Sequence, residues 1–538
     1  MSYHRQVIEE ILSGRVRTRS ELERLKIELC KGSGLSHIPT NAEILEKATP
    51  EERARLLPFL RIKPMRTLSG VAVVATMTSP ADCPHGKCSY CPGGVPSNTP
   101  QSYTGREPAA LRASHNAYDP YRQTKARLEQ LAAIGHPTDK VDLIIMGGTF
   151  TSRTAEYREG FVKGCLDAMN GAISDDLESA KTLNESAPSR CIGLTIETRP
   201  DRFSPAEAVD SLRVGATRLE FGVQTLNDST LKAVERGHGV KETTEATKTA
   251  KDAGLKVGYH MMPGLPGETR DSDLATFRTL FSDERFMPDM LKIYPTLVMP
   301  GTKLHAAWER GEYKPYSVEE VVELLADFKA HVPPWLRIQR IQRDIPAQLI
   351  ADGVRKSHVR VLVREELRRR GGRCRCIRCR EVGHALAVEG EPDAGDAVLN
   401  TIEYKASGGR EVFISFDEPG RGALVAYLRL RLTTEGAHAA ALGGQRRNSS
   451  DALGSSAAAE PLGIVREVKV FGQMLPISSE PKSEWQHRGL GGRLLAEAEE
   501  ISRAAGARRM LVTSGVGARG YYRRLGYALS GEHMGKRL

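Results

Sequence analysis

Gly70-Val-Ala-Val-Val-Ala-Thr-Met77-Thr-Ser-Pro-Ala-Asp-Cys83-Pro-His-Gly-Lys-Cys88-Ser-Tyr-Cys91-Pro-Gly-Gly94 joins a strand-like run to three closely spaced cysteines, and its reading decides the fold. The Val-rich half predicts a buried strand over Val71–Met77. The cysteines then lie in the loop that leaves its end. A fully ligated 4Fe-4S cluster has a thiolate on every iron, so three ligands in one loop leave one iron open to chelate a small molecule. Zinc there would need four ligands, and the loop offers only His85 as a fourth; a structural zinc site is the alternative. The spacing is C-x4-C-x2-C, with Gly86 able to absorb the length.

Five further segments share the character of that first strand: Val141–Met146, Ile192–Glu197, Arg218–Gln224, Val257–Met262 and Leu291–Val298, with Trp335–Ile341 as a candidate seventh. Helix-length stretches separate them, which predicts parallel strands with crossover helices. The expected class is therefore α/β, with an incomplete (β/α) barrel over residues 66–345 and its site where strands end. Residues 1–65 read as short basic helices and 346–390 as a basic, cysteine-bearing connector. Residues 391–538 read as a second α/β domain, with strands at Val412–Phe416, Leu424–Leu432, Val465–Phe471 and Met510–Thr513 and a helix from Gly489 to about Ala504. Its Ala/Gly/Ser-rich stretch 433–463 is expected to be a flexible insertion.

At 538 residues the chain is too long for one core. No apolar h-region follows the N-terminus and no run of about 18 apolar residues occurs, so secretion and membrane spanning are not expected. The expected location is cytoplasmic. Nine cysteines fall as two tight triplets plus Cys30, Cys165 and Cys191, the pattern of ligand sets and not of a disulfide framework. The net charge of +10 is concentrated: Arg337–Arg380 holds fourteen Lys and Arg against four Asp and Glu. Residues 1–66 add thirteen basic against nine acidic residues. Such segments suit a phosphate backbone, against the plainer reading of a solvated charged face.

Three more motifs carry chemistry. Gly147-Gly148 ends the second predicted strand, where a ligand can approach the backbone closely. Glu197, Glu220 and Gln224 lie near strand ends, as cavity groups or as structural polar contacts. Gln486-His-Arg-Gly489-Leu490-Gly491-Gly492 opens a helix whose free amides and dipole can bind a pyrophosphate. Cys374, Cys376 and Cys379 have metal-knuckle spacing, with His384 the nearest fourth ligand and His358 another, for a closed structural zinc.

The cysteine loop resembles that of radical S-adenosylmethionine (SAM) enzymes, one residue longer than their C-x3-C-x2-C. In those enzymes a Gly-Gly placed like Gly147-Gly148 contacts the methionyl amino group. The 486–492 motif resembles the Q/R-x-x-G-x-G/A signature of GNAT acyltransferases, and Tyr521-Tyr-Arg-Arg-Leu-Gly-Tyr527 resembles their C-terminal end. Both modules in this order, with Lys63-Pro-Met-Arg-Thr-Leu-Ser-Gly, Gln101-Ser-Tyr-Thr-Gly-Arg-Glu-Pro, Arg340-Ile-Gln-Arg-Asp-Ile-Pro and Arg380-Glu-Val-Gly, resemble the family of Elongator catalytic subunits over nearly the whole chain.

The resemblance implies a tRNA-modifying enzyme with a 4Fe-4S cluster, SAM and acetyl-CoA, beside the zinc read from the second cysteine triplet. It implies Cys83, Cys88 and Cys91 as cluster ligands and, with Tyr522, the catalytic set. Acetyl-CoA contacts would be Lys140, Glu467, Val468, Lys469, Val470, Gln486, Gly489 to Gly492, Tyr521 and Tyr522. One electron from the cluster would split SAM, and the resulting 5′-deoxyadenosyl radical would take hydrogen from the acetyl methyl group. The carbon radical would then add to C5 of the wobble uridine, the adduct would lose the C5 proton and give one electron back to the oxidised cluster, and thioester hydrolysis would leave 5-carboxymethyluridine. The basic segments would hold the anticodon stem-loop, whose unstacked bases a pocket can reach. No general base is evident from the residues. A homodimer or Elongator-like subunits are the candidate assemblies. The rival readings are a protein lysine acetyltransferase with a structural cluster and a non-catalytic tRNA-binding scaffold.

Overall fold

The computed structural model describes residues 2–63, 67, 69–383, 397–443, 460–471 and 489–538. Seven parallel strands form one sheet in chain order: β1 (Ala72–Met77), β2 (Lys140–Met146), β3 (Arg190–Thr198), β4 (Arg218–Gln224), β5 (Lys256–Met261), β6 (Met290–Ile293) and β7 (Arg337–Ile341). β1 and β7 do not pair with each other, so the barrel is incomplete and Trp335–Ile341 supplies its seventh strand. The sixth is shorter than its apolar run. Pro295 lacks the N–H that a ladder needs; β6 ends at Ile293, and Val298 instead bridges to Asp352.

A strand shows alternate residues to opposite faces. Leu219, Phe221 and Val223 of β4 are buried in the main apolar cluster, as are Val257, Tyr259 and Met261 of β5. The residues that alternate with them, Arg218, Glu220, Lys256 and His260, line the space along the barrel axis. Barrel interiors are commonly packed with branched apolar side chains. Here charge takes that place.

Four helices, Tyr3–Leu12, Arg19–Ser33, Asn41–Glu46 and Pro50–Leu60, precede the barrel and bury a small core of their own around Ile8, Leu22, Ile44 and Leu56. Thr18, Thr40 and Thr49 cap the last three with reciprocal Glu hydrogen bonds, which is why these short segments are helical. Among the described residues no helix is long and apolar enough to cross a membrane.

The second sheet contains β8 (Val398–Ala406), β9 (Gly409–Asp417), β10 (Leu424–Thr434), β11 (Pro461–Val470), β12 (Arg509–Val512), β13 (Ala528–Ser530) and β14 (His533–Arg537), in spatial order 13-14-12-11-10-9-8. Edge strand β8 is mostly exposed, so it has no buried apolar face to announce it. The expected insertion 433–463 begins in regular structure. Thr433 and Thr434 finish β10, the Ala-rich Glu435–Ala441 is a helix capped by Thr434, and Pro461–Gly463 starts β11. Alanine is the best helix former. Residues 444–459 lie outside the described residues.

The two sheets are joined by ions. Arg466 of β11 donates to both carboxylate oxygens of Asp289, at 2.6 and 2.8 Å, and to Glu411 at 2.6 Å. Arg431 of β10 donates to Asp252 at 2.6 Å and to Glu411 at 2.9 Å. Asp252 and Asp289 belong to the barrel, and all five groups are buried. Burial alone would raise the Asp289 and Glu411 carboxyls, but Arg466 beside both holds them below the usual carboxylate range. The connector adds a second tie, because Arg380 reaches Asp417 of β9 at 2.9 Å while Glu381 pairs with Arg337 of β7 at 2.9 Å.

Candidate active site

Cys88 and Cys91 are buried and Cys83 is half-buried in the loop after β1. Cys91 Sγ receives a hydrogen bond from Gln101 Nε2 at 3.1 Å and lies 3.0 Å from Ser102 Oγ. Arg236 Nη1 is 3.7 Å from Cys88 Sγ, and Thr149 Oγ1 is 3.7 Å from Cys83 Sγ. Burial pushes the Cys91 thiol up, while the Ser102 and Gln101 hydrogen bonds favour its thiolate. Soft sulfurs, donors aimed at them and a buried guanidinium are what a thiolate-held cluster needs. The residues fit that group.

The single-zinc alternative fits less well. Cys374, Cys376 and Cys379 form a set with all ligand atoms within 4.8 Å of one another, and the loop after β1 does not. His85, the fourth ligand that alternative required, lies between Cys83 and Cys88 with a nitrogen 3.1 Å from each sulfur. Burial, then Arg199 and Arg236, push its imidazole down to about 4. The ring is therefore neutral near pH 7.

Gly147 and Gly148 follow β2 with φ of 122° and 102°, backbone only glycine adopts readily. A Cβ on Gly147 would stand 2.3 Å from Thr78 Oγ1, so the loop lies directly on the chain leaving β1.

From this mouth one cavity of about 1680 Å³ runs along the barrel axis to the second sheet. Its walls include Cys83 and Gly148 at one end and Lys140, Glu467 to Val470, Gly489, Gly491, Tyr521 and Tyr522 at the other. The strand-end expectation thus placed only the mouth of a longer chamber. In its middle, Lys292 Nζ lies 3.2 Å from Glu197 Oε1 and makes a shorter contact with Glu220 Oε2. His260 Nε2 is 3.0 Å from Glu220 Oε2, and Tyr103 Oη donates to Glu197 at 3.0 Å. Burial would raise Glu220, but Lys292 and His260 beside it hold it well below the usual range. Glu197, Glu220 and Gln224 therefore all face the cavity, and the two glutamates also carry ion pairs. His260, Lys292 and Arg218 escaped the sequence reading. Their signal was the period-two alternation of charged with apolar residues in β4 to β6.

At the far end β12 pairs with β11 only over Gly463–Val465. Beyond that point β11 carries Glu467 to Val470 along the cavity. The Glu467 carboxylate is committed elsewhere, 3.3 Å from Lys256 and 3.0 Å from Arg429. The Lys469 ammonium is pushed down to about 8 by burial and then Arg337, and burial lowers Lys140 as well. Gly489 has φ of 72° and precedes the helix Leu490–Ala504. A Cβ on Gly491 would lie 2.5 Å from Tyr521 Oη, while one on Gly492 meets open space. Tyr522 is buried against Tyr521 and Tyr527. Gln486 and His384 lie outside the described residues. Of the knuckle, Cys376 is buried, and Ile377 N–H donates to Leu336 O at 2.8 Å, anchoring the set to the start of β7.

The comparisons agree with this geometry. The Radical SAM superfamily model matches residues 78–280, the Radical SAM C-terminal domain 288–369, the ELP3 N-terminal domain 1–68 and the Acetyltransferase (GNAT) family 482–527. The tRNA uridine(34) acetyltransferase of Methanocaldococcus jannaschii is 48% identical over 540 residues, covering 99% of this chain and 96% of that protein. Human Elongator complex protein 3 is 41% identical over 527 residues, covering 96% and 93%. The solved structure of the archaeal Methanocaldococcus infernus Elp3 with N-terminus deletion (1-46) superposes with a TM-score of 0.74 at 44% identity, covering 88% of this chain and all of that one. With two catalytic modules opening onto one chamber and such identity along almost its whole length, the chain belongs to the family of Elongator complex protein 3 and the tRNA uridine(34) acetyltransferases.

Proposed function

We propose that the chain uses radical SAM chemistry and acetyl-CoA to form 5-carboxymethyluridine at the wobble uridine of tRNA. The observation that carries this reading is the single cavity bordered by both the cysteine loop and the glycine-rich helix start. Acyl donor and radical source can then meet without passing through bulk water. Cys83, Cys88 and Cys91 would hold the cluster and Gly147-Gly148 would receive SAM. When bound, the reduced cluster supplies the electron that splits SAM and generates the hydrogen-abstracting radical.

The amides of Leu490 to Gly492 would take the acetyl-CoA pyrophosphate at the helix N-terminus. The β11 edge from Glu467 to Val470, with Tyr521 and Tyr522, would direct the acetyl arm inward, and Lys140 would border its path. The N-terminal helices and the connector would hold the RNA, and the cytoplasm is the compartment this substrate implies. Cys374, Cys376, Cys379 and His384 would hold zinc. A wall that faces the barrel interior favours a flipped base over the extended lysine of a protein substrate, which is why the acetyltransferase reading ranks second.

Full-length protein reconstituted anaerobically with iron and sulfide, then given SAM, dithionite, acetyl-CoA and tRNA, should yield carboxymethyluridine by nucleoside mass spectrometry. Cys88→Ala should yield none. Equal product from both proteins would sink the radical reading. For the knuckle, Cys376→Ser is expected to lose bound zinc by elemental mass spectrometry and to lower the thermal midpoint, since a structural zinc contributes folding energy. Unchanged metal content would remove the site.

A further inference from the structure

We propose that His260, held by Glu220, is the general base that hydrolyses the acyl thioester in the reaction proposed above, on which this inference rests. His260 lines the chamber between the cysteine loop and the glycine-rich helix start. Its Nε2 is 3.0 Å from Glu220 Oε2, and its side chain keeps 15% of its surface open. Nδ1 has no hydrogen-bond partner among the described residues, leaving it available to a water in the chamber. The ring is fixed on a second side by Tyr294, edge-on at 5.4 Å.

The groups facing the ring are Glu220 from β4, Glu197 from β3 with an oxygen 4.0 Å from Nε2, and Tyr294 after β6. Behind the two carboxylates stand Lys292 of β6 and Arg218 of β4, the latter 3.5 Å from Glu220. Glu197, Glu220 and His260 also have the spacing of a metal site. The Lys292 ammonium touches both carboxylates and supplies the positive charge that an ion would bring.

A carboxylate that orients an imidazole and balances its developing charge is the arrangement of a general base. Water would give a proton to Nδ1 as its oxygen bonds to the thioester carbonyl carbon. The tetrahedral species would then expel the sulfur, and the CoA thiolate would take the proton back from the imidazolium. One water is consumed, a carboxylic acid and a free thiol are formed, and nothing is oxidised. The acyl group attached to the uridine thereby becomes a carboxymethyl group.

The first measurement uses full-length reconstituted protein with acetyl-CoA and an anticodon stem-loop RNA, SAM withheld, and follows free thiol release. His260→Ala is expected to lower kcat about a hundredfold or more with KM for acetyl-CoA unchanged, and added imidazole should restore part of the rate. Glu220→Gln, which alters a positioning residue, should lower kcat without imidazole rescue. The second measurement adds SAM and dithionite. In His260→Ala the CoA mass should then stay attached to the RNA, while the wild type releases it. Free carboxymethyluridine from His260→Ala at the wild-type rate would overturn the proposal. Wild-type thiol release without modified uridine would strike the parent reading, and the His260 dependence of that release would still decide this one.

Discussion

Asp289→Ala is expected to destabilise the folded chain by about 3–5 kcal/mol, the cost of removing one partner from a buried ion pair. Asp289 is completely buried and accepts two hydrogen bonds from Arg466, with Arg429 a further 3.5 Å away. Alanine would leave both guanidiniums buried and short of a counter-charge. A fall in the urea midpoint checks this, and Arg310→Ala is the control. Arg310 pairs with Glu312 on the surface, where both side chains are more than half exposed, so the midpoint should not move.

The same network sets an acid limit. Carboxylates whose folded pKa lies below the unfolded value of about 4 contribute stability that is complete above that value and is lost as pH falls beneath it. Asp289, Glu411 and Glu467 are all held low in this way, against burial, by neighbouring arginines and lysines. The wild type should therefore lose stability steeply below about pH 4. Asp289→Ala should show a shallower acid limb, and an equally steep one would assign the limb to other groups.

The second large effect is expected at Gly515. Its φ is −61°, so the backbone is ordinary; space is what excludes a side chain. A Cβ there would lie 2.2 Å from the carbonyl oxygen of Ile192 and 2.3 Å from its carbon, because the loop after β12 rests directly on the start of β3. Gly517 meets Arg190 in the same way, at 2.5 Å. Alanine at 515 must push the second sheet off the barrel wall, and a displacement of about 1 Å between reacting groups costs about a hundredfold in rate. Carboxymethyluridine formation should fall by that order while acetyl-CoA affinity, which the pyrophosphate site proposed at Gly489 to Gly492 would set, stays within about twofold on the same argument. Calorimetric titration and nucleoside analysis separate the two. Wild-type turnover by Gly515→Ala would show that the contact does not align the chamber.

The elements legible in the sequence were those that bury one apolar face or repeat a tight ligand spacing. The cysteine triplets, Gly147-Gly148 and the seven barrel strands announce themselves in a few residues each. β8 did not, because an exposed edge strand lacks the alternation that burial imposes. The charged lining was visible but silent. Arg218 and Glu220 sit two residues apart in β4 and Lys256 and His260 four apart in β5, yet a polar inward face in a strand looks the same as a solvent-facing one until the sheet closes around it. The arginines of β10 and β11 were hidden for a related reason: Arg-Leu-Arg at 429–431 reads as an exposed ladder, and only the partner domain supplies Asp252 and Asp289.

That last arrangement bears on how such a chain can be inherited. A domain that can be shuffled between genes must leave a surface that water tolerates when it departs. Cutting this one at its connector would expose Arg466 and Arg431 on one fragment and strand Asp252 and Asp289 on the other. It would also unroof the chamber from both sides. The radical and acyl-transfer halves are thus bound to a common history, and variation is expected to accumulate as matched pairs across their seam and not as exchange of whole modules.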